Sequence, residues 1–400
     1  MRIAFVTPEF VTENYFSGGL ANYVQRISIA LAALGHDVHV LTLSNIDKKE
    51  FNYEGVKVYR IQTGRPRRWL SRLSRHRLSG TAQWLDFSFQ AYRRVAKLHK
   101  QKPFDILQFP NSRACGLVTS LLLPVPYALR ISCYRPVWNK LSGGNRNLDA
   151  KACEFLEFIC YRLAKNIFAP SLRLKNMLAE KANIKNVRVI RTPFFQEILQ
   201  LDDSVYKQYL GGKDYLLFFG RLQMHKGAHI LGQALSEVFS RLPGIYAVFV
   251  GLDASSPLGQ SMRRYITQQC DGSTERVIFI DALYHEQLYP VINGARLVVL
   301  PSLVDNLPNT MLEAMAFCKA VLGTIGCSFD EIIEDGRNGF LVNPGNPTEL
   351  AQKIVEVWHR KDLDEIGRSA ARKIEELAPD KVVTQLIDYY REVIGKNKRR

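Results

Sequence analysis

The sequence lacks the features that mark several protein classes. Its seven cysteines are scattered and none forms a CxxC pair, which argues against a zinc ribbon or a disulfide framework and favours a reducing compartment. The opening MRIAFVTPEF has too short an apolar run for a signal peptide. The longest uncharged stretch, 114–129, contains Pro124 and Pro126 and is shorter than the ~20 apolar residues that span a bilayer. We expect a buried helix followed by a buried strand there, and a cytoplasmic chain.

Acidic residues are scarce relative to basic ones. The chain has 38 Asp and Glu against 54 Lys and Arg, a formal net charge of +16. Such an excess favours an anionic partner, which could be a nucleotide, a phospholipid surface or a nucleic acid. No recognisable nucleic-acid module accompanies the charge, so nucleic acid is the weakest of the three.

Short apolar runs alternate with longer segments of helical periodicity along the whole chain. The pattern restarts after LGGKDY and ends in an amphipathic segment at 380–394. Apolar strands separated by helices are typical of a parallel sheet covered on both faces. The sequence therefore predicts an α/β protein with two halves, 1–195 and 196–378, followed by a helix and a basic tail at 379–400.

A glycine pair follows the first predicted strand. Gly18 and Gly19 lead directly into a segment of helical periodicity, 20–34, which stops at Gly35. Glycines let the backbone approach a ligand, and a helix N-terminus favours an anion. The spacing is not the GxGxxG of dinucleotide-binding folds. The pair therefore predicts either an anion-contacting loop or an ordinary strand-to-helix turn.

Two cations follow the strand LLFFG of the second half. Arg221 comes directly after Gly220, and Lys226 lies five residues further on, before the next helix. Open parallel sheets bind ligands at the carboxyl ends of their strands. A planar guanidinium beside an ammonium suits a diphosphate. The alternative is a pair of solvated surface charges.

Two carboxylates lie in the stretch PSLVDNLPNTMLEAMA, at Asp305 and Glu313. Thr310 and Glu313 have the spacing of a capping box, in which the glutamate bonds the backbone N–H of the threonine. A helix that begins here would also present unpaired N–H groups to an anion. Glu313 is therefore either a helix cap or a ligand contact.

The densest cationic run of the chain spans 65–84. Leucine and tryptophan are interleaved with arginine, as in a helix that lies in the headgroup region of an anionic bilayer. A solvated segment that packs its leucines on the core is the alternative. The residues of the predicted membrane arm are Arg65, Arg67, Arg68, Trp69, Arg72, Arg75 and Arg77.

Taken together, GRLQMHKG and PSLVDNLPNTMLEAMA resemble the motif pair of the retaining glycosyltransferases of family GT4. TPEF…GGLANYV and VRVIRTPF resemble the start and the interdomain segment of that family, so the resemblance covers nearly the whole chain. It implies the GT-B fold, in which two Rossmann-like domains face each other across a cleft. Residues 1–195 would be the acceptor domain and 196–378 the donor domain, and the helix in 379–400 would cross back to the first domain.

The resemblance also assigns roles to single residues. Arg221 and Lys226 match the basic pair that holds the donor diphosphate. Glu313 matches the carboxylate that binds the ribose, and Asp305 matches the acidic residue that contacts the donor sugar. Arg221, Lys226 and Asp305 are thus the predicted catalytic residues. The segment VIFIDALYH matches the place where the nucleotide base docks.

Backbone groups between the two carboxylates would face the sugar and the phosphate, and the glycine pair would lie near the phosphate and the acceptor. With Glu313, the predicted donor-binding residues are Gly18, Gly19, Asn306, Leu307, Pro308, Asn309 and Thr310.

The chain departs from the family pattern at two places. Asp305 is one methylene shorter than the usual glutamate, although DNLPNT is similar to a branch of bacterial surface-polysaccharide enzymes. Many family members carry a histidine after the strand YALRI, where this chain has RISCYRP, with Ser132 or Cys133 at that position. Arg130, Ser132 and Arg135 are the candidates to replace that histidine at the acceptor or the reacting centre.

The resemblance implies transfer of a hexose-type sugar from a nucleotide-diphosphate sugar, with retention, to a glycan or a lipid-linked glycan of a bacterial cell surface. We expect neither a metal nor another cofactor beyond this co-substrate. The enzyme would lie peripherally on the inner face of the plasma membrane. The alternatives are a related sugar-nucleotide hydrolase, phosphorylase or epimerase, and an inactive sugar-nucleotide-binding protein at the membrane; no pyridoxal phosphate lysine motif supports a phosphorylase.

Overall fold

The computed structural model describes residues 1–13, 18–47, 49–64, 76–141, 147–195 and 200–398. The chain divides into two compact units. The N-terminal unit comprises Met1–Pro136, Asn145–Pro193 and Ala378–Arg400, and the C-terminal unit comprises Val137–Gly144 and Phe194–Leu377. The divisions at 193 and 377 compare with predicted ones at 195 and 378, and the inclusion of 137–144 in the C-terminal unit was not predicted.

Each unit is built on one sheet. Within the described residues, the N-terminal sheet has eight strands: β1 Arg2–Thr7, β2 Asp37–Leu43, β3 Glu50–Tyr53, β4 Val56–Ile61, β5 Ile106–Pro110, β6 Tyr127–Arg130, β7 Ile167–Ala169 and β8 Val187–Val189. The C-terminal sheet has six over the same ranges: β9 Tyr215–Phe219, β10 Tyr246–Val250, β11 Val277–Ile280, β12 Leu297–Val299, β13 Val321–Thr324 and β14 Phe340–Val342.

Helices follow most of the strands. The α-helices of the described residues are α1 Gly19–Ala33, α2 Ser79–Gln101, α3 Leu117–Leu122, α4 Arg135–Leu141, α5 Leu148–Leu163, α6 Leu172–Ala182, α7 Ser204–Tyr209, α8 Ala228–Arg241, α9 Met262–Gln268, α10 His285–Gly294, α11 Asn309–Ala316, α12 Pro347–Trp358, α13 Leu363–Ile374 and α14 Pro379–Lys398. The predicted C-terminal helix is α14, and it packs against α1 in the N-terminal unit.

Both sheets are buried on both faces, as the near-continuous apolar strands predict. In β1, Ile3 and Phe5 enter a core under α1 and α14, whereas Ala4 and Val6 enter a second core under α2, α3, α5 and α6. Successive side chains of a strand point to opposite faces, so a strand covered on both sides must be apolar throughout. The predicted α/β class with two parallel-sheet domains is confirmed, with one local difference: β3 pairs antiparallel with β4 at an edge.

The strand order of each sheet places a crevice beside the predicted site residues. The orders are β3-β4-β2-β1-β5-β6-β7-β8 and β11-β10-β9-β12-β13-β14. The winding reverses between β1 and β5 in the first sheet and between β9 and β12 in the second. Ligands of open α/β sheets bind outside the carboxyl ends of the strands at such a reversal.

The expectation of a buried helix followed by a buried strand in 114–129 is only partly confirmed. The segment forms α3 and β6, and Leu117 is buried, but Leu121 and Leu122 are 58% and 57% exposed. The helix is six residues long and covers the sheet with its first turn, so its last turn projects away from the core. An apolar sequence alone does not say which side of such a short helix is covered.

Gly227 allows the loop after β9 to approach the loop after β12. It has φ +74°, and a Cβ at this position would lie 1.8 Å from the carbonyl oxygen of Pro301. Any other residue would combine left-handed backbone strain with a collision against backbone, so the two loops meet only because this position is glycine.

We expect Gly227→Ala to destabilise the C-terminal unit far more than Gly212→Ala. Gly212 has nearly the same φ, +75°, but open space around its Cβ position. Gly212→Ala should therefore lose only the stability that backbone strain costs, about 1–2 kcal/mol. Gly227→Ala should lose about 1–3 kcal/mol more through overpacking against Pro301. Urea unfolding of both variants measures the difference. Equal losses would mean that the contact with Pro301 is unimportant.

Candidate donor and acceptor sites

Two loops of the C-terminal unit are joined by backbone hydrogen bonds at the reversal between β9 and β12. The carbonyl oxygen of His225 accepts from the backbone N–H groups of Leu303, at 2.8 Å, and Val304, at 3.3 Å. The loop GRLQMHKG is thereby fixed to the loop PSLVDN. Side chains from two motifs far apart in sequence meet at one edge of the sheet.

Lys226 and Asp305 form an ion pair across these loops. The Lys226 Nζ donates to Asp305 Oδ2 at 2.6 Å. The Asp305 side chain is only 6% exposed and that of Lys226 is 26% exposed. Two residues that were predicted to contact the donor separately are therefore in contact with each other.

The Asp305 carboxylate accepts further hydrogen bonds from its own loop. The Ser302 hydroxyl donates to Oδ2 at 3.2 Å, and the backbone N–H of Asn306 donates to Oδ1 at 3.0 Å. A carboxylate offers about four acceptor positions, and three are in use. Asp305 is held rigidly and keeps capacity for about one more donor.

The remaining cation of the motif is accessible. Arg221 is exposed where β9 ends, and within the described ranges no ion pair engages its guanidinium. His225, which lies between Arg221 and Lys226 in the sequence, is buried in the structure. Its ring lies 4.8 Å from that of Trp138 in α4. Burial, reinforced by the charge of Lys226, lowers the pKa of His225 to about 4, so its ring is neutral near pH 7.

The helix α11 begins without a side-chain cap. Pro308 occupies the N-cap position, so Thr310 lies inside the first turn and makes no capping hydrogen bond. Of the two alternatives for Glu313, the capping box with Thr310 is therefore not formed. Leu307 precedes this start with φ +55°, a left-handed conformation that is uncommon outside glycine. The first turn offers backbone N–H groups to an anion.

Glu313 lies within α11 and faces another helix. Its side chain is 7% exposed, and its Oε1 lies 3.8 Å from Nε2 of His285, the first residue of α10. The His285 ring stacks on Tyr289 with centroids 5.1 Å apart. A buried carboxylate beside a partly exposed imidazole can accept hydroxyl groups of a ligand. The position of His285, last in VIFIDALYH, was the only sequence signal for its involvement.

The rest of VIFIDALYH forms β11 and the turn that leads into α10. Arg263 holds this turn. Its Nη2 donates to Asp281 Oδ1 at 2.6 Å and to the carbonyl oxygen of Gly251 at 3.1 Å. The arginine thus links the carboxyl ends of β10 and β11. It supports the backbone of the segment predicted to hold the base, and no sequence motif had indicated this role for Arg263.

In the N-terminal unit the glycine pair begins α1, as predicted. Gly18 is the N-cap and provides no side-chain cap, and the first turn carries no acidic residue. A Cβ at Gly18 would lie 3.4 Å from Oε2 of Glu9. A carboxylate therefore lies beside the start of this helix, and Glu9 was not among the predicted residues.

Arg130 is a buried guanidinium with hydroxyl partners. It is 4% exposed, and it donates to Ser132 Oγ at 2.6 Å and to Thr192 Oγ1 at 3.1 Å. Its Cζ lies 3.7 Å from the ring centroid of Tyr23. Within the described ranges no carboxylate pairs with it, and burial lowers its pKa. Ser132 is engaged by Arg130, so the two candidates form one unit.

Arg135 is committed to an acidic partner instead. Its Nε and Nη2 lie 2.8 and 2.7 Å from Oε1 of Glu157, which is 1% exposed, and its Cζ lies over the ring of Trp84. Asn111 bonds the same glutamate through Nδ2. Burial raises the pKa of Cys133 to about 12, so that thiol stays protonated near neutral pH.

The predicted membrane arm lies almost entirely outside the described residues. Arg65, Arg67, Arg68, Trp69, Arg72 and Arg75 belong to 65–75, and only Arg77 is described, as an exposed residue before α2. In the described ranges, no helix is long and apolar enough to cross a membrane. Nor do three His, Cys, Asp or Glu side chains of those ranges group as metal ligands.

Two family descriptions match the two halves of the chain. "Glycosyltransferase Family 4" matches residues 17–194, and "Glycosyl transferases group 1" matches residues 213–360. An uncharacterised glycosyltransferase of Methanocaldococcus jannaschii is 23% identical over 418 aligned residues, covering 99% of this chain and 100% of the relative.

Solved structures share the fold. The sucrose-phosphate synthase of Thermosynechococcus elongatus superposes with a TM-score of 0.76 at 17% identity, over 99% of this chain and 100% of its own. HepE of Anabaena, solved in complex with UDP-glucose, has a TM-score of 0.67 at 18% identity, over 97% of this chain and 98% of its own. At these identities the likeness is one of fold.

The depressed pKa of His225 predicts acid sensitivity of the C-terminal unit. As pH falls from about 6.5 to about 4, the unfolded chain takes up a proton that folded His225 does not, so the folded state loses stability. We expect His225→Gln to remove about 1–2 kcal/mol of the loss between about pH 7 and about pH 5. Denaturant unfolding at both pH values tests this, with exposed His359→Gln as control. An unchanged pH dependence in His225→Gln would contradict the assignment.

Proposed function

This chain belongs to the group 1 glycosyltransferases of family 4 and has the GT-B fold, and on that premise we propose which groups carry the transfer. The donor is a nucleotide-diphosphate sugar, bound at the carboxyl edge of the C-terminal sheet. The acceptor is a glycan or a lipid-linked glycan, bound by the N-terminal unit. The structure of HepE was solved with UDP-glucose, which supports a uridine nucleotide as the first donor to test.

The observation that carries the donor assignment is the convergence at the reversal between β9 and β12. Exposed Arg221, the Lys226–Asp305 pair and the uncapped start of α11 all lie on the loops that follow these two neighbouring strands. Two cations and a helix N-terminus form a field suited to a diphosphate. They also stabilise the charge that develops on the leaving nucleotide.

Asp305 has two roles: it positions Lys226, and it accepts a hydrogen bond from the donor sugar. Its carboxylate already accepts from Lys226, Ser302 and the Asn306 N–H, so it fixes the ammonium at one place on the edge of the sheet. Its remaining acceptor capacity suffices for one sugar hydroxyl. This dual role does not require the extra methylene of a glutamate.

Glu313 binds the ribose hydroxyls. Its carboxylate is buried, it is not a helix cap, and it faces the start of α10, where VIFIDALYH ends. A carboxylate that accepts two hydroxyl groups discriminates well, because an unpaired buried acceptor costs roughly 1–3 kcal/mol. His285 then lies between the ribose and the base.

The transfer proceeds with retention, and the acceptor hydroxyl attacks from the side of the leaving diphosphate. A phosphate oxygen of the leaving group takes the acceptor proton, so no protein base is required. The protein contributes the fixed positive charges of Arg221 and Lys226. Arg130, with Ser132 against its guanidinium, replaces the histidine found in relatives and contacts an anionic part of the acceptor.

A soluble sugar phosphate is the second acceptor class. Arg130 lacks an acidic partner among the described residues, and the sucrose-phosphate synthase with the same fold is named for a phosphorylated product. A lipid-linked diphosphate and a sugar phosphate both offer the anion that Arg130 would bind. The basic composition of the arm supports the lipid-linked acceptor and a peripheral location at the inner membrane face.

A donor panel followed by a transfer assay tests the proposal. Bound ligand stabilises the folded state by mass action, so UDP-, GDP- and other nucleotide sugars can be ranked by the shift in melting temperature. The stabilising donor is then incubated with lipid-linked glycans, with sugar phosphates and with water alone. Release of free sugar in water without transfer would indicate a hydrolase, and donor binding without turnover would indicate an inactive binding protein.

We expect Glu313→Ala to weaken donor nucleotide binding at least about tenfold with little loss of helix content, because the residue is not a cap. The matched control is Glu349→Ala. Glu349 is the N3 glutamate of a helix cap, where Asn346 Oδ1 accepts from its N–H and its Oε1 accepts from the N–H of Asn343. Isothermal titration and urea unfolding of both variants separate the roles. Normal affinity with lost stability in Glu313→Ala would assign it to the fold.

We expect Lys226→Ala to reduce kcat by about 10²-fold or more, since it removes a charge that stabilises the leaving group. It also leaves Asp305 buried without its partner and so lowers stability. The double variant Lys226→Ala/Asp305→Asn should recover stability but not kcat. Lys207→Ala, at an exposed pair with Asp203, is the control. Recovery of kcat in the double variant would reduce Lys226 to a structural partner.

A further inference from the structure

We propose that one face of the N-terminal unit binds an anionic lipid bilayer directly. The face consists of the outward sides of α2, α3 and α5, three helices that pack on one another over the same side of the sheet. We call it the apolar-basic face. Its exposed side chains are Phe89, Arg93, Lys97 and Lys100 of α2, Leu121 and Leu122 of α3, and Leu148, Lys151, Phe155, Phe158 and Arg162 of α5.

The outward side of α5 is a regular stripe. Apart from Leu163 at its last position, its exposed residues follow one another at intervals of three or four, which places them on a single side of the helix. Leu148, Phe155 and Phe158 are 61%, 60% and 41% exposed. Lys151 and Arg162 lie in the same stripe. The half-buried Glu154 lies on its flank, and Glu157 is on the opposite, buried side.

The outward side of α2 repeats this pattern with more charge. Phe89, 40% exposed, is followed on the same side by Arg93, Lys97 and Lys100. The two exposed leucines of α3 add apolar surface next to both helices. A patch of large apolar side chains rimmed by cations marks an interaction site rather than an ordinary solvated surface.

The helices α1 and α14, which cover the other side of the same sheet, provide a surface for comparison with the apolar-basic face. The exposed positions of α14 include Lys381, Asp388, Arg391 and Glu392, so both charge signs are mixed. Among the described residues of α1 and α14, no large apolar side chain is exposed. Leu34, directly after α1, Ile46 and Leu172 are also exposed, but most of the exposed large apolar side chains among the described residues of the N-terminal unit lie on α2, α3 and α5.

The positive charge of the apolar-basic face favours an anionic bilayer over a second copy of the chain as its binding partner. A second copy of the chain would bring lysine and arginine against lysine and arginine, which is unfavourable. An anionic bilayer offers phosphates to the cations and an interfacial layer to phenylalanine and leucine, and each cation near such a surface contributes about 1 kcal/mol. The face therefore suits a lipid surface better than self-association.

The face is also joined to the end of the predicted membrane arm. The backbone N–H groups of Gly80 and Thr81, at the start of α2, donate to the Asp149 carboxylate at the start of α5 at 2.8 and 2.9 Å. Residues 76–78 lead into this junction. The arm thus ends beside the face. The proposal extends the suggested membrane location but does not rest on the identity of donor or acceptor.

The test is sedimentation of the full-length chain with vesicles of phosphatidylcholine alone and of phosphatidylcholine with phosphatidylglycerol. We expect binding only to the anionic vesicles. Phe155→Ser/Phe158→Ser and, separately, Lys151→Gln/Arg162→Gln should each weaken it at least about tenfold while the arm stays intact. The matched control is Leu252→Ser/Leu258→Ser, at two exposed leucines of the C-terminal unit.

Two results would overturn the proposal. One is vesicle binding that is unchanged in both α5 variants, which would assign the membrane contact to the arm alone. The other is a dimer in light scattering that Phe155→Ser/Phe158→Ser converts to a monomer without a change in vesicle binding. Donor binding, followed by the melting-temperature shift with nucleotide sugar, should be the same in all variants. A failure of the donor proposal would therefore be recognised separately.

Discussion

The proposed donor site depends on the two hydrogen bonds that join the His225 carbonyl to the loop after β12. Because β9 and β12 are neighbours at the reversal of strand order, their loops leave the sheet side by side. The missing side chain of Gly227 lets them meet, and Lys226 then reaches Asp305. Without this backbone contact, residues 79 positions apart in sequence would have no fixed geometry. The chemistry proposed for the cations requires such a geometry, since preorganised charges are effective only when they do not have to be rearranged.

The same stretch of chain gives its two carboxylates opposite surroundings. Asp305 lies in the loop and is nearly saturated by a lysine, a hydroxyl and a backbone N–H. Glu313 lies one helical turn into α11 and has an imidazole 3.8 Å away. A carboxylate held by three donors of its own unit acts mainly as a positioning group, whereas the place of Glu313 opposite the start of α10 is what supports its proposed contact with ligand hydroxyls. Pro308, not Thr310, is the N-cap of α11, so Glu313 lies beyond the capping positions of the helix.

The sequence was sufficient for the architecture, and it predicted that the motif side chains lie where neighbouring strands end, which the structure shows for Lys226 and Asp305. Both follow from strong local signals, namely apolar strands at regular intervals and polar groups where those strands end. It was insufficient wherever the outcome depended on tertiary partners. The spacing of Thr310 and Glu313 fits a capping box, but the N-cap of the helix in the structure is Pro308. Arg135 and Arg130 looked equivalent in the sequence, yet buried Glu157 pairs with Arg135, whereas Arg130 donates to the hydroxyls of Ser132 and Thr192. The exposure of Leu121 depends on how far α3 extends past the sheet.

The two proposals assign the excess of positive charge to two different tasks. Recognition of a small anion needs few cations in fixed positions, and Lys226 and Arg130 are held by named partners and largely buried. Attraction to a surface needs many cations, and their exact positions matter little because the field of a charged bilayer is spread over its plane. Arg93, Lys97 and Lys151 fit the second task, since they are exposed and stand among exposed apolar residues. A net charge alone does not distinguish the two tasks, whereas burial and fixed partners do.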